Sequence, residues 1–109
     1  MNALDAAVRD FLAHLVVERG VSTNTSAAYR RDLARYTAFL EGRGLPDLAA
    51  VQESHLGDYV TALSTGEATG TPMSAASVAR AIAAVRGLHR FALLEGLVGV
   101  DVAASLRAP

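Results

Sequence analysis

Apolar residues recur every three or four positions along most of the chain, and the two-residue alternation of a half-buried strand is absent. The pattern predicts an all-α protein. A first helix over roughly 3–18 puts Leu4, Val8, Phe11, Leu12 and Leu15 on one stripe, with Gly20 as its C′ residue. A second runs from Ser22, a candidate N-cap, to about Glu41. It places Tyr29, Leu33, Tyr36, Phe39 and Leu40 on one arc, with Arg30 and Arg31 opposite beside Ala27, Ala34 and Ala38. Gly42, Gly44 and Pro46 interrupt the chain, and a third helix over 53–64 carries Leu56, Tyr59, Val60 and Leu63. Residues 65–72 read as a flexible loop by composition. A fourth helix starts after Ser74 and ends at Glu95, with Gly96 as C′. Its inner arc is Val78, Ala81, Ile82, Val85, Leu88, Ala92 and Leu93; its outer stripe is Ala76, Ala79, Arg80, Ala83, Arg86, Gly87 and Arg90. One or two helical turns are expected over 101–106.

The 109 residues, 51% of them apolar, suffice for one domain with its own core, spanning 1–109. No apolar run approaches the length of a membrane span. The start Met1-Asn2-Ala3-Leu4-Asp5 has neither the basic nor the apolar stretch of a secretion signal. No membrane partner and a cytoplasmic location are the expectation.

The net charge of −1 argues, taken whole, against a nucleic-acid partner. Its distribution argues the other way. All 10 basic residues are arginine. Residues 22–43 hold four of them against Asp32 and Glu41, and residues 74–96 hold three against Glu95. Residues 44–73 hold four acids and no base. Attraction to a polyanion is local, screened beyond roughly 10 Å at ordinary salt. If the second and fourth helices pack together, their arginines can form one basic face, with alanines and Gly87 allowing close approach. The serine-capped helix starts add amide donors suited to phosphate. Against this stands the commoner role of arginines opposite a core, which is simple solvation.

No catalytic constellation is legible. His14, His55 and His89 fall on three different helices without metal-ligand spacing, and His89, inside an apolar arc, reads as a core histidine. Asp32 either accepts from a tyrosine or pairs with an arginine. The chain has no cysteine, and no lysine follows the loop glycines as a phosphate-binding loop would need. No metal and no cofactor are expected, and the chain by itself reads as no enzyme.

The residues Glu18-Arg19-Gly20-Val21-Ser22, then Asn24-Thr25, Ala28-Tyr29, Arg31-Asp32-Leu33 and Phe39-Leu40, resemble the opening of Xer-type tyrosine recombinases. Ser77-Val78-Ala79-Arg80, then Ala84 to Phe91, Glu95-Gly96 and the closing Asp101…Leu106…Pro109 extend the resemblance over essentially the whole chain, nearest to the XerD-like branch. Ala83 stands where a serine is common, His89 where an aromatic is, and Asp101-Val102 where Asn-Pro is. The resemblance implies a four-helix SAM-like orthogonal bundle, the N-terminal core-binding domain. Such a domain clamps duplex DNA at a short palindromic site, while a separate catalytic domain exchanges strands through a 3′-phosphotyrosyl intermediate and a Holliday junction. It further implies a tetramer with a paralogous XerC-like recombinase and a role in resolving chromosome dimers. The fragment alone is expected to be monomeric. The DNA-binding positions it implies are Ser22, Asn24, Thr25, Arg30, Arg31, Arg80, Arg86 and Arg90. The alternative is a helical SAM-like module that binds protein and no DNA.

Overall fold

The computed structural model describes residues 1–109. It has four helices and no strand: α1 (Ala3–Val17), α2 (Thr23–Gly42), α3 (Glu53–Thr65) and α4 (Ala75–Leu94). A 3-10 turn, Leu48–Ala50, links α2 to α3. The all-α, four-helix expectation agrees with this architecture.

The helix starts follow from side-chain capping. Ser22 Oγ accepts the Thr25 N–H at 3.1 Å and Ser74 Oγ accepts the Ser77 N–H at 3.2 Å. Each such cap contributes about 1 kcal/mol. Two caps were not anticipated. Asn2 Oδ1 accepts the Asp5 N–H at 2.8 Å, and His55 Nδ1 accepts the Gln52 N–H at 2.9 Å, which explains His55 as a helix-start residue. Gly20 and Gly96 adopt the left-handed conformation expected of them, with φ of 63° and 74°.

α4 is the helix on which the others converge; it packs against α1, α2 and α3. It therefore buries a wide face: Val78, Ala81, Ile82, Ala84, Val85, Leu88, His89 and Ala92. Ala84 belongs to the core, whereas Leu93, expected there, lies partly exposed at the end of the bundle. α1 contributes Leu4, Ala7, Phe11, Leu12 and Leu15, and α3 contributes Leu56, Tyr59, Ala62 and Leu63. On α2, Leu33, Tyr36 and Leu40 are buried, while Tyr29 and Phe39 are half-buried.

Two connecting segments carry detail that composition did not predict. The segment after α3, read as flexible, folds back on it: the Ala68 N–H bonds to Ala62 O at 3.1 Å and the Met73 N–H to Leu63 O at 3.3 Å. Gly66 makes this possible, since at φ 89° a Cβ would lie 2.7 Å from the Pro72 nitrogen. The helical turns expected over 101–106 are instead two hydrogen-bonded turns, from the Ala104 N–H to Asp101 O and from the Leu106 N–H to Ala103 O, anchored by the fully buried Ala103. The segment is too short to nucleate a helix of its own.

His89 is fully buried and shares a 2.7 Å hydrogen bond with the Tyr36 hydroxyl across the α2–α4 seam. Burial pushes its imidazole from 6.5 down to about 4, with Asp101 pulling weakly the other way. The folded state therefore binds fewer protons than the unfolded chain between those values, and stability falls as the pH drops through them. The contribution is whole above 6.5 and lost below about 4. At 1.36 kcal/mol per unit, the loss approaches about 3 kcal/mol. Urea unfolding followed by circular dichroism should show this decline. A Tyr36→Phe/His89→Phe variant, which removes both partners, should show a shallower one.

Candidate nucleic-acid interface

The outer stripe of α4 is built as its sequence suggested, with two departures, at Arg80 and Gly87. Ala76, Ala79, Ala83, Arg86 and Arg90 are exposed. At 100° per residue they fall within an arc of about 80°. Arg86 and Arg90 make no ion pair and no hydrogen bond to another residue. They flank a groove between α4 and the C-terminal turns, lined also by Ala83, Gly87, Asp101 and Ala104.

Arg80 differs from its neighbours. Its Nε and Nη2 donate to the two carboxylate oxygens of Asp32 at 2.8 and 3.0 Å, and Asp32 is fully buried. Those hydrogen bonds hold the Arg80 guanidinium above its ordinary pKa. Arg35 Nη1 donates to the same carboxylate at 3.2 Å. Asp32 thus takes the arginine alternative rather than the tyrosine one.

Gly87 has a role other than the one expected. A Cβ there would meet Phe11 Cζ at 2.8 Å, so its missing side chain is filled by an α1 ring rather than left open to a ligand. The exposed alanines alone keep the stripe low.

The α2 positions divide. Ser22 Oγ, besides capping, donates to Thr25 Oγ1 at 3.0 Å, so both hydroxyls belong to the helix start. Asn24 is exposed beside them. Arg30 stands about 160° around α2 from Asp32 and so on the side away from α4. It lines a groove with Asp5, Val8, Arg9 and Leu12 of α1 and is not brought together with the α4 arginines. Arg31, about 100° from Asp32, is exposed on a flank of α2.

Arg19 is a residue the sequence reading passed over. The α1–α2 turn carries it to a groove shared with His14, Tyr29, Ala83, Arg90 and Glu95. Arg19, Arg90 and Arg86 therefore line two adjoining grooves along α4, together with Glu95 and Asp101, and the half-buried Tyr29 ring lies beside them. Only the position of Arg19, three residues before the Ser22 cap, hinted at this. The acids of 44–73 line neither groove. Asp58 is paired with Arg43 at 3.0 Å, and Glu67 borders Arg35 and Arg43 elsewhere. No three metal-ligating side chains come together, and no helix is long and apolar enough to cross a membrane.

Residues 8–96 match the family model described as phage integrase, N-terminal SAM-like domain. The chain belongs to that family. Along its full length it is 50% identical to Tyrosine recombinase XerD of Mycobacterium tuberculosis (strain ATCC 25618 / H37Rv), in an alignment of 111 positions. It is 46% identical to Tyrosine recombinase XerD of Mycobacterium leprae over 98% of the chain. It is 38% identical to Tyrosine recombinase XerC of Xanthomonas campestris pv. campestris (strain B100) over 99%. The chain spans 36%, 34% and 32% of those proteins, about a third of each. No solved structure matches it significantly. The integrase-type SAM-like fold thus agrees with what the sequence resemblance implied.

The contact between Gly87 and Phe11 sets how closely α4, with its arginine stripe, approaches α1. Gly87→Ala should overpack this site. The clash outweighs the gain in helix propensity, for a net loss of about 1 kcal/mol in chemical denaturation. Phe11→Leu in the same background should recover part of it.

Proposed function

We propose that this integrase-family domain is the DNA-clamping N-terminal domain of a XerD-like site-specific tyrosine recombinase. The observation that carries the reading is the exposed Ala/Arg stripe of α4. Arg86 and Arg90 lack protein partners there, and the exposed Ala76, Ala79 and Ala83 that precede them on the stripe leave room for a nucleic-acid backbone. The names of the relatives, tyrosine recombinases XerD and XerC, supply the class of reaction. In this reading residues 1–109 form one binding domain. Strand exchange through a 3′-phosphotyrosyl intermediate belongs to the remaining two-thirds of the parent protein, and the domain itself performs no chemistry. The parent acts in the cytoplasm with a XerC-like paralogue, as a tetramer on a short palindromic site, in resolving chromosome dimers. Ser22, Asn24, Thr25 and Arg31 would meet phosphates from the α2 side, and Arg19 joins Arg86 and Arg90 on the α4 side. Arg30 is the least favoured of the sequence-derived positions because it faces the α1 groove.

A second reading, a protein-interaction module without DNA binding, draws on the net charge of −1 and on exposed apolar side chains such as Val17 and Leu94. One titration separates the two. Fluorescence anisotropy with a labelled mixed-sequence duplex should show binding that weakens steeply with salt. Each arginine–phosphate contact contributes about 0.9 to the log–log slope. Arg86→Ala/Arg90→Ala should weaken binding and reduce the slope by about 1.8, while the melting temperature stays close to that of the parent. A double variant that binds like the parent would overturn the face assignment.

A further inference from the structure

Asp32 is the one fully buried carboxylate of the bundle, and it lies where α2 meets α4. Its two oxygens receive three guanidinium hydrogen bonds, two from Arg80 of α4 and one from Arg35 of its own helix. The Arg80 bonds are a parallel pair to one planar carboxylate. A single hydrogen bond fixes a distance; a planar fork fixes an orientation as well. Across the α2–α4 seam the other directional bond is that of Tyr36 to His89, nine residues further along α4. The buried face of α4 includes three alanines, Ala81, Ala84 and Ala92, which offer shallow ridges to neighbouring helices.

Roll matters on the outside of the same helix. Arg86 and Arg90 follow Arg80 by about 9 and about 15 Å along the axis. A roll of about 20° would carry side-chain tips about 2 Å sideways. That is more than a hydrogen bond to a phosphate oxygen tolerates.

We propose that Asp32 is a positioning residue for DNA binding. By gripping Arg80 it sets the roll of α4 on α2, and so decides where Arg86 and Arg90 meet the backbone. Arg80 is then a strut of the interface and not one of its phosphate ligands. The inference deepens the DNA-binding reading and rests on it for its functional half.

The test turns on the sign of a charge effect. Asp32→Asn removes an acid next to the basic face and releases Arg80. If Asp32 merely opposed DNA, or held back a phosphate ligand, the variant would bind the labelled duplex more tightly and with a steeper salt slope. As a positioning residue its loss should instead weaken binding about tenfold, at a temperature where circular dichroism shows the variant folded. Arg80→Lys keeps the charge and loses the fork, and should weaken binding similarly; should Asp32→Asn fail to fold, this variant decides. Equal or tighter binding by the folded variants overturns the proposal. A second readout is independent of DNA. Spin labels at Ala34 and Ala79, both exposed, report the setting of α4 on α2. Their distance distribution should be narrow in the parent and broadened in both variants. If the parent chain fails to bind the duplex, the DNA-binding reading falls, and an unchanged distance distribution would then overturn the clamp on its own.

Discussion

A carboxylate withdrawn from water must be answered by cations and hydrogen bonds, because the interior alone cannot solvate it. Asp32 meets that demand by drawing in Arg80 from α4 and Arg35 from its own helix. One turn further along α2, the same seam holds Tyr36, which reaches His89 on α4 and packs against the Tyr59 ring of α3 at 5.1 Å between centroids. The join between α2 and α4 is therefore polar and directional at two levels. Leucine-on-alanine packing supplies the bulk of the burial but tolerates small slides, whereas directional partners tolerate few. The ion pair itself need contribute little net stability, since desolvation offsets much of the Coulombic attraction. Its consequence is geometric.

From that join follows the division of α4 into two surfaces. The helix contacts three others, so its inward face is broad and its outward face narrow. The outward face carries small side chains, which keep it low, and long ones that reach clear of them. Alanine and arginine fill these two roles. Gly87 sits at the margin between the two, where the Phe11 ring takes the place of a side chain. Close packing on α1 and low relief on the outside are thus two results of one choice of residue sizes.

Much of this was legible from the sequence. The 3.6-residue periodicity located all four helices, and Ser22 and Ser74 marked the starts of α2 and α4. Helix ends were readable because Gly20 and Gly96 are the residues that tolerate a left-handed turn. What stayed hidden was pairing across helices. Whether Asp32 meets a tyrosine or an arginine could not be read from its own helix, because its partner Arg80 is 48 positions away. Arg80 for the same reason counted with Arg86 and Arg90, which share its stripe and its chemistry. Arg19 was overlooked because it belongs to a turn and not to a periodic segment. The loop after α3 read as flexible from its composition, and only the backbone positions of Ala62 and Leu63 reveal what ties it down.

Net charge hides pairing in the same way. A net charge of −1 treats every arginine alike. In the folded chain Arg9, Arg35, Arg43 and Arg80 are paired with Asp10, Asp58 or Asp32. A polyanion approaching the molecule meets the others. Arg19, Arg86 and Arg90 lie along adjoining grooves, and the acids of 44–73 border neither of these. At a screening length of roughly 10 Å, the attraction that matters is set within those grooves and by the nearby Glu95 and Asp101, not by the sum over the chain. A domain of this kind can keep a near-neutral total, which limits indiscriminate adhesion to nucleic acid, while presenting a positive surface in one place.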